Sequence, residues 1–338
     1  MRRFLAVLLT LVAVFGAGWL SLRRPDIPYD TLESAYASPE SKYLVLSDSE
    51  KIHYRDQGNP DGPVIVLVHG FSASLHTWEP WVRALGNEYR LISLDLPGHG
   101  LTRGFDLDEV NVNGFGEAVA SLTDALGVDR FILVGSSMGG HTAWAYGVDH
   151  PGQVEALVLV AAAGWPPTEE ELTERPWMFK ALQYGVFRAI VRDLDNSAMI
   201  RTGLEASFVD QSAVTEDMVQ RYVALNRAPG HRDATMKLMA ESNSRRLATP
   251  EQMESLQMPV LVMHGTGAQL VPYAHGEAFA EAIPRARLIT YENVGHIVQE
   301  EIARRSAADL KAFLDESDLA QRTISEETDL AVAEEVGQ

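Results

Sequence analysis

The stretch that decides the fold runs Phe131-Ile-Leu-Val-Gly-Ser-Ser-Met-Gly-Gly-His-Thr-Ala-Trp-Ala-Tyr146. An apolar run stops at Gly135, Ser137 follows two residues later, and small residues then favour a helix. In a G-x-S-x-G turn the serine occupies strained backbone, and the glycines are needed because a Cβ would clash with the strand and helix. The order also fits an ordinary turn between a strand and a helix. We nevertheless expect Ser137 to be exposed at the end of a strand, with the backbone N–H of Met138 directed at an anion beside it.

Composition excludes several functions. The chain has 338 residues, enough for one large α/β domain with an insertion, and 28 basic against 47 acidic residues give a net charge of −19. That charge argues against nucleic acid as a partner. The absence of cysteine excludes disulfides, thiolate metal sites and cysteine nucleophiles. The ten histidines show no H-E-x-x-H or similar spacing, so we expect neither a metal nor a cofactor.

The amino-terminal region predicts a membrane segment. Two arginines on each side flank an uncharged apolar run from Phe4 to Leu22, which is about long enough to span a bilayer. We expect an uncleaved single-pass anchor in a bacterial inner membrane, with a periplasmic catalytic domain. The site Ala35-Tyr-Ala37 lies far beyond the run, but cleavage there would give a secreted protein. Residues 25–42 are predicted to be a tether.

Strands and helices alternate in the rest of the chain. Continuous apolar runs such as Val64–Val68 and Val154–Val160 are typical of strands covered on both faces. Their spacing predicts a mostly parallel, doubly wound sheet, interrupted after strand 6 by a helical insertion. The predicted organisation is a transmembrane or signal segment 1–24, tether 25–42, core 43–163, helical cap 164–257 inserted between strands 6 and 7, core 258–314 and acidic disordered tail 315–338.

Two further motifs follow predicted strands, where open α/β sheets bind ligands. His296 follows the last strand and is the expected general base for the Ser137 hydroxyl. His69-Gly70-Phe71 follows an earlier strand, and the N–H of Phe71 is the expected second oxyanion donor beside that of Met138.

The motifs together resemble a known family. HGF at 69–71, DLPGHG at 95–100 and GSSMGG at 135–140 occur in the order found in α/β-hydrolase fold esterases and lipases. With the amino-terminal segment they are similar to the family V bacterial lipases. The resemblance implies an α/β-hydrolase fold and hydrolysis of carboxylic esters. Epoxide hydrolases and dehalogenases of this fold carry aspartate at the position of Ser137, so the serine disfavours those two reactions here.

The expected acid of the catalytic triad is absent. The family pattern G-x-x-D-x-L-V-P appears here as Gly265 to Pro272 with Ala268 in place of the aspartate, and the alternative position after Val160 is also alanine. Three explanations stay open: an altered active site, a natural Ser-His dyad, or an acid from elsewhere, such as Glu292 or the cap. Glu300 and Glu301 are predicted to form a solvated first helical turn.

The substrate is expected to be a hydrophobic acyl ester or acylglycerol. The helical insertion carries aromatic and methionine residues, some of which are expected to line the substrate pocket: Trp177, Met178, Phe179, Tyr184 and Phe187. A cofactor-free haloperoxidase or perhydrolase would use the same residues. A third alternative is a non-catalytic protein that binds a hydrophobic ligand, which the Ala268 position motivates.

Overall fold

The sheet forms as the apolar pattern predicts. The computed structural model describes residues 2–173, 181–241 and 246–317. Its strands are β1 (Ser41–Val45), β2 (Lys51–Gly58), β3 (Val64–Val68), β4 (Arg90–Leu94), β5 (Phe131–Ser136), β6 (Val154–Val160), β7 (Val260–Gly265) and β8 (Ala286–Tyr291). Within those ranges they form one eight-stranded sheet in the order β1-β2-β4-β3-β5-β6-β7-β8. Strand β2 is antiparallel to its neighbours β1 and β4, and the other pairs are parallel. The predicted fold class is confirmed.

Helices of the core cover both faces of the sheet, and other helices form the cap and the amino-terminal region. They are α1 (Arg2–Leu22), α2 (Tyr29–Tyr36), α3 (Glu79–Leu85), α4 (Val112–Ala125), α5 (Met138–Asp149), α6 (Glu169–Thr173), α7 (Gly185–Val191), α8 (Ser197–Glu205), α9 (Glu216–Asn226), α10 (His231–Ala240), α11 (Pro250–Ser255), α12 (Tyr273–Ala282), α13 (Val298–Glu301) and α14 (Ala303–Glu316). One core cluster contains Phe115 of α4, Trp144 of α5 and Phe279 of α12. The other contains Trp81 of α3 and Phe313 of α14. Burial on both faces explains the unbroken apolar runs of the parallel strands.

The position of β5 places the serine turn at the centre of the sheet. Strand β5 pairs with β3 on one side and β6 on the other, and all six of its residues are buried. Its parallel neighbours end at the same edge of the sheet. The loops that follow β3, β5 and β6 therefore meet above this edge.

The helices α6 to α11 lie between β6 and β7, where the sequence predicts the cap. Three of the apolar positions predicted there, Trp177 to Phe179, lie outside the described residues. Tyr184 is 71% exposed, so it faces solvent rather than a pocket.

The amino-terminal segment differs from the expectation. In the described part of the chain, no helix is both long enough and apolar enough to cross a membrane. The predicted transmembrane anchor is therefore not found, and the predicted membrane partner and inner-membrane location lack support. The carboxyl-terminal end of α1 contacts the cap: the indole N–H of Trp19 donates to the Ile190 carbonyl at 2.8 Å. The backbone N–H of Asp195 donates to the Leu22 carbonyl at 2.9 Å.

Residues 25–42 are folded against the cap and core, although the sequence predicts a tether. Leu32 of α2 is buried in a cluster with Leu101 and Leu225. Asp26 forms ion pairs with two arginines of the cap, Arg192 at 2.9 Å and Arg232 at 2.5 Å. Apolar burial and ion pairing thus hold a segment whose composition alone suggests a linker. The predicted acidic tail lies outside the described residues from position 318 onward.

Candidate active site

The turn after β5 has the geometry expected of a nucleophile elbow. Ser137 has φ 54° and ψ −115°, a left-handed conformation that is uncommon for a residue with a side chain. A Cβ at Gly139 would lie 2.2 Å from the Val68 carbonyl oxygen, and one at Gly140 would lie 2.6 Å from the Ala162 Cβ. Both distances are too short for a side chain, so the backbone can turn this sharply only with glycine. The turn lifts Ser137 above the end of the sheet, and its side chain reaches a cavity.

Two backbone N–H groups lie beside Ser137. Met138 is the first residue of α5, so its N–H has no carbonyl partner within the helix. The loop after β3 passes close to the serine, since a Cβ at Gly70 would lie 3.2 Å from the Ser137 Cβ. Phe71 follows in this loop, and the described residues provide no acceptor for its backbone N–H. The sequence predicts these two N–H groups as the donors to an oxyanion.

The imidazole of His69 fixes this loop. Its Nδ1–H donates to the Gly70 carbonyl at 2.7 Å, and its Nε2 accepts from the Leu96 N–H at 3.0 Å. Both bonds require the neutral ring with a proton on Nδ1. Burial lowers the pKa of His69, which favours that neutral form. His69 thus has a structural part in placing Gly70 and Phe71.

His296 follows β8 and lines the same cavity as Ser137. Its backbone N–H donates to the Ser207 carbonyl of the cap at 2.7 Å. The hydrogen bonds among the described residues include none between the Ser137 hydroxyl and the His296 ring. The ring is 4% exposed, and its Nδ1 is buried without a partner in the described part of the chain. Burial, with a smaller contribution from nearby His264, lowers the pKa of His296 to about 3.

No carboxylate of the described residues forms a hydrogen bond with the Nδ1 of His296. Ala268 lies in the loop after β7 and is 9% exposed. The Glu292 carboxylate accepts from the Thr266 hydroxyl at 3.4 Å and is not bonded to His296. Elsewhere in residues 2–173, 181–241 and 246–317, no group of three or more His, Asp or Glu side chains could hold a metal ion.

The cavity above Ser137 has a volume of about 260 Å³. Core loops form one wall and cap helices the other. Its apolar lining comes from Phe71, Met199, Ile200, Leu204, Met239, Leu270 and Ile297. The cap residues of this lining cannot be identified from the sequence, because helices α8 to α10 carry no local signal of which face meets the core.

Comparisons with known proteins agree with this architecture. The family described as "alpha/beta hydrolase fold" matches residues 63–302. The chain is an alpha/beta hydrolase.

Relatives of this hydrolase include enzymes that act on esters. A monoacylglycerol lipase of Bos taurus is 27% identical over 273 residues, covering 77% of this chain and 78% of the lipase. The dihydrolipoyllysine-residue acetyltransferase component of an acetoin cleaving system from Pseudomonas putida is 30% identical over 269 residues, covering 78% of this chain and 66% of that protein. The crystal structure of a bacterial membrane phospholipase A superposes with a TM-score of 0.70 at 28% identity, covering 94% of this chain and 99% of the phospholipase chain.

The sequence predicts that Glu300 and Glu301 form a solvated first helical turn, but both carboxylates make hydrogen bonds within the protein. The Glu301 carboxylate accepts from the backbone N–H groups of Gly295 at 2.7 Å, Val209 at 3.1 Å and Asp210 at 3.0 Å. It therefore joins the loop of His296 to the cap. The short helix α13 turns this side chain back toward residue 295, a contact that its spacing from His296 does not reveal.

Hydrogen bonds connect Glu300 to the turn that carries Ser137. Its carboxylate accepts from the Thr77 hydroxyl at 2.5 Å, and the Gln299 amide donates to Thr77 at 3.0 Å and to Ser136 at 3.2 Å. Burial raises the pKa of Glu300 to about 7. The polar chain connects α13 to the residue that precedes Ser137.

Proposed function

We propose that this protein is a serine carboxylic ester hydrolase, with Ser137 as nucleophile and His296 as general base. The observation that carries the proposal is the strained Ser137 backbone at the sheet edge, with His296 lining the same cavity. The lipase and phospholipase relatives support ester substrates.

The reaction is an acyl transfer in two steps. The Ser137 hydroxyl oxygen attacks the ester carbonyl carbon while the His296 Nε2 accepts the hydroxyl proton. The N–H groups of Phe71 and Met138 donate to the oxyanion of the tetrahedral intermediate. His296 then gives the proton to the leaving alcohol, and water hydrolyses the acyl-enzyme by the same route.

Ala268 makes each proton transfer harder. A triad carboxylate holds the histidine ring and stabilises the imidazolium that forms during both steps. Here the Nδ1 of His296 lacks such a partner in the described residues, and burial opposes a charge on the ring. The low pKa keeps His296 neutral and able to accept a proton, but the resulting imidazolium is costly. We infer slow turnover on an intact binding site.

The cavity favours a medium-length apolar acyl group. The surface that the lining exposes to the cavity is mostly apolar, and about 260 Å³ is near the lower end of the volumes typical of small-molecule sites.

Hydrolysis of p-nitrophenyl butyrate by the full chain tests the proposal. We expect slow release of p-nitrophenol that Ser137→Ala and His296→Ala reduce at least tenfold. Release that is unaffected by Ser137→Ala would overturn it.

The unpartnered His296 favours a second candidate, a hydrolase-like protein that binds a hydrophobic ligand without turnover. Its signature would be binding of an apolar ester by both the unmodified chain and Ser137→Ala, with no product from either over hours.

A further inference from the structure

We propose that the cap wall of the cavity contains a subsite for a hydroxyl group of the substrate, formed by Asn196, Asn226 and Thr235. The inference rests on the proposed ester hydrolysis and adds a substrate class to it: esters that carry a hydroxyl near the scissile bond. These three residues form the amide string.

The amide string joins three cap helices. Asn196 precedes α8, Asn226 ends α9, and Thr235 lies in α10. The Asn196 amide donates to the Asn226 carbonyl oxygen at 2.8 Å, and the Asn226 amide donates to the Thr235 hydroxyl oxygen at 2.9 Å. All three side chains line the cavity that contains Ser137. The string is thus a polar strip in an otherwise mainly apolar wall.

The hydrogen bonds within the amide string do not use the hydroxyl proton of Thr235. Asn226 and Thr235 are 7% and 9% exposed, so bulk water has little access to them. With the Asn226 amide oriented as described, the Thr235 hydroxyl proton has no acceptor among the residues that the structure describes. If the Asn226 and Asn196 amides were both turned over, the Asn226 amide would donate to Asn196 and Thr235 would donate to Asn226, so the Thr235 oxygen would instead need a donor.

A hydroxyl group of the ligand suits both orientations because it donates and accepts. A methylene in its place would leave a buried polar group unsatisfied, which carries a substantial free-energy penalty. A charged group would lose its hydration without meeting an opposite charge, since Asn196, Asn226 and Thr235 are all neutral. The string therefore selects a neutral hydroxyl over both an alkyl and an ionic substituent.

The hydroxyl could belong to the alcohol or to the acyl part of the ester. Three esters of the same length separate these sources: propyl butyrate, 2,3-dihydroxypropyl butyrate and propyl 3-hydroxybutyrate. The measured quantity is kcat/KM for each hydroxylated ester divided by kcat/KM for propyl butyrate. Because the ratio is taken within one variant, any rate loss caused by Ala268 cancels.

In the unmodified protein we expect one of the two ratios to be about five or more, which is the gain in kcat/KM that a neutral hydrogen bond in a closed site would give. The ratio that is raised identifies the side of the ester that carries the hydroxyl. Thr235→Val keeps the shape of the side chain and should reduce that ratio toward one, as should Asn226→Leu if the first variant folds poorly. Met239→Leu, one helical turn from Thr235 in the same wall, is the matched control and should retain the ratio.

Binding of uncleavable ethers decides the inference even if turnover is too slow to measure. Calorimetry would compare two hydroxylated ethers with their alkyl counterparts in the unmodified protein and in Thr235→Val: 1-O-hexylglycerol with hexyl propyl ether for the alcohol side, and hexyl 3-hydroxybutyl ether with hexyl butyl ether for the acyl side. Tighter binding of either hydroxylated ether that is lost in Thr235→Val supports the subsite. Equal affinities within both pairs in the unmodified protein, or ratios that Thr235→Val and Asn226→Leu leave within twofold, would overturn it. Loss of all ester hydrolysis with the ether preference intact would count against the proposed function alone.

Discussion

Restoring a carboxylate at position 268 should make this protein a fast esterase. In Ala268→Asp we expect the new carboxylate, which lies in the loop after β7, to meet the Nδ1 of His296, which has no partner among the described residues. The alanine is nearly enclosed, so a carboxylate there would share the low-dielectric surroundings of the ring. It would accept a hydrogen bond from the Nδ1–H and fix the ring with Nε2 facing Ser137.

The size of the effect follows from the charge on His296. Burial lowers its pKa to about 3. Against the ordinary value near 6.5, this difference is at most about 5 kcal/mol of destabilisation of the imidazolium. A carboxylate about 4 Å from the ring stabilises that charge by about 4 kcal/mol at an effective dielectric constant near 20. We therefore expect kcat/KM to rise about a thousandfold, because 1.36 kcal/mol of barrier is a factor of ten.

The assay is p-nitrophenyl butyrate hydrolysis by the full chain. Ala268→Asn is the matched control: it has nearly the same shape as aspartate without the charge, and we expect it to raise kcat/KM less than tenfold. Ser137→Ala should abolish the gain of Ala268→Asp. If Ala268→Asp stayed within threefold of the unmodified protein while remaining folded, the role assigned to this loop would be refuted.

Three further perturbations test the account. Gly70→Ala should lower kcat at least tenfold, because the new Cβ would lie 3.2 Å from the Ser137 Cβ and displace the loop that carries the Phe71 N–H. The control Gly152→Ala should leave kcat unchanged, because its Cβ would have no atom within 4 Å. Glu300→Gln should remove a pH dependence of stability, because the pKa of Glu300 is raised to about 7 and the folded protein therefore holds this proton more tightly than the unfolded chain. As pH rises from about 4.5 to 7, the free energy of unfolding of the unmodified protein, measured by urea titration, should fall by at most about 3 kcal/mol relative to the variant. Asp95→Asn should lower the free energy of unfolding by about 3 kcal/mol, because the buried Asp95 carboxylate accepts from the His53 ring and two backbone N–H groups; a change below about 1 kcal/mol would contradict this.

The sheet could be predicted from the sequence because its signals are local. Buried parallel strands are continuous apolar runs, and the runs at 64–68 and 154–160 coincide with β3 and β6. The turn at Ser137 was also predictable, since only glycine tolerates the close backbone approaches at Gly139. These features depend on residues that are neighbours in the chain.

Features that depend on distant contacts were not predictable. Glu301 looks like a residue of a solvated turn, yet its partners Val209 and Asp210 come from the cap. Likewise, the segment 25–42 has the composition of a linker, and its order comes from cap arginines more than 150 residues away. The cap lining was missed for the same reason: which face of α8 or α10 meets the cavity depends on how the cap packs.

The most direct test of the central claim is mass spectrometry of the protein after reaction with ethyl p-nitrophenyl butylphosphonate, which phosphonylates activated serines. We expect a single adduct, mapped by peptide analysis to Ser137 and absent from Ser137→Ala, that forms much faster in Ala268→Asp. An adduct at another residue, or labelling that Ser137→Ala leaves intact, would contradict the assignment of Ser137 as the nucleophile.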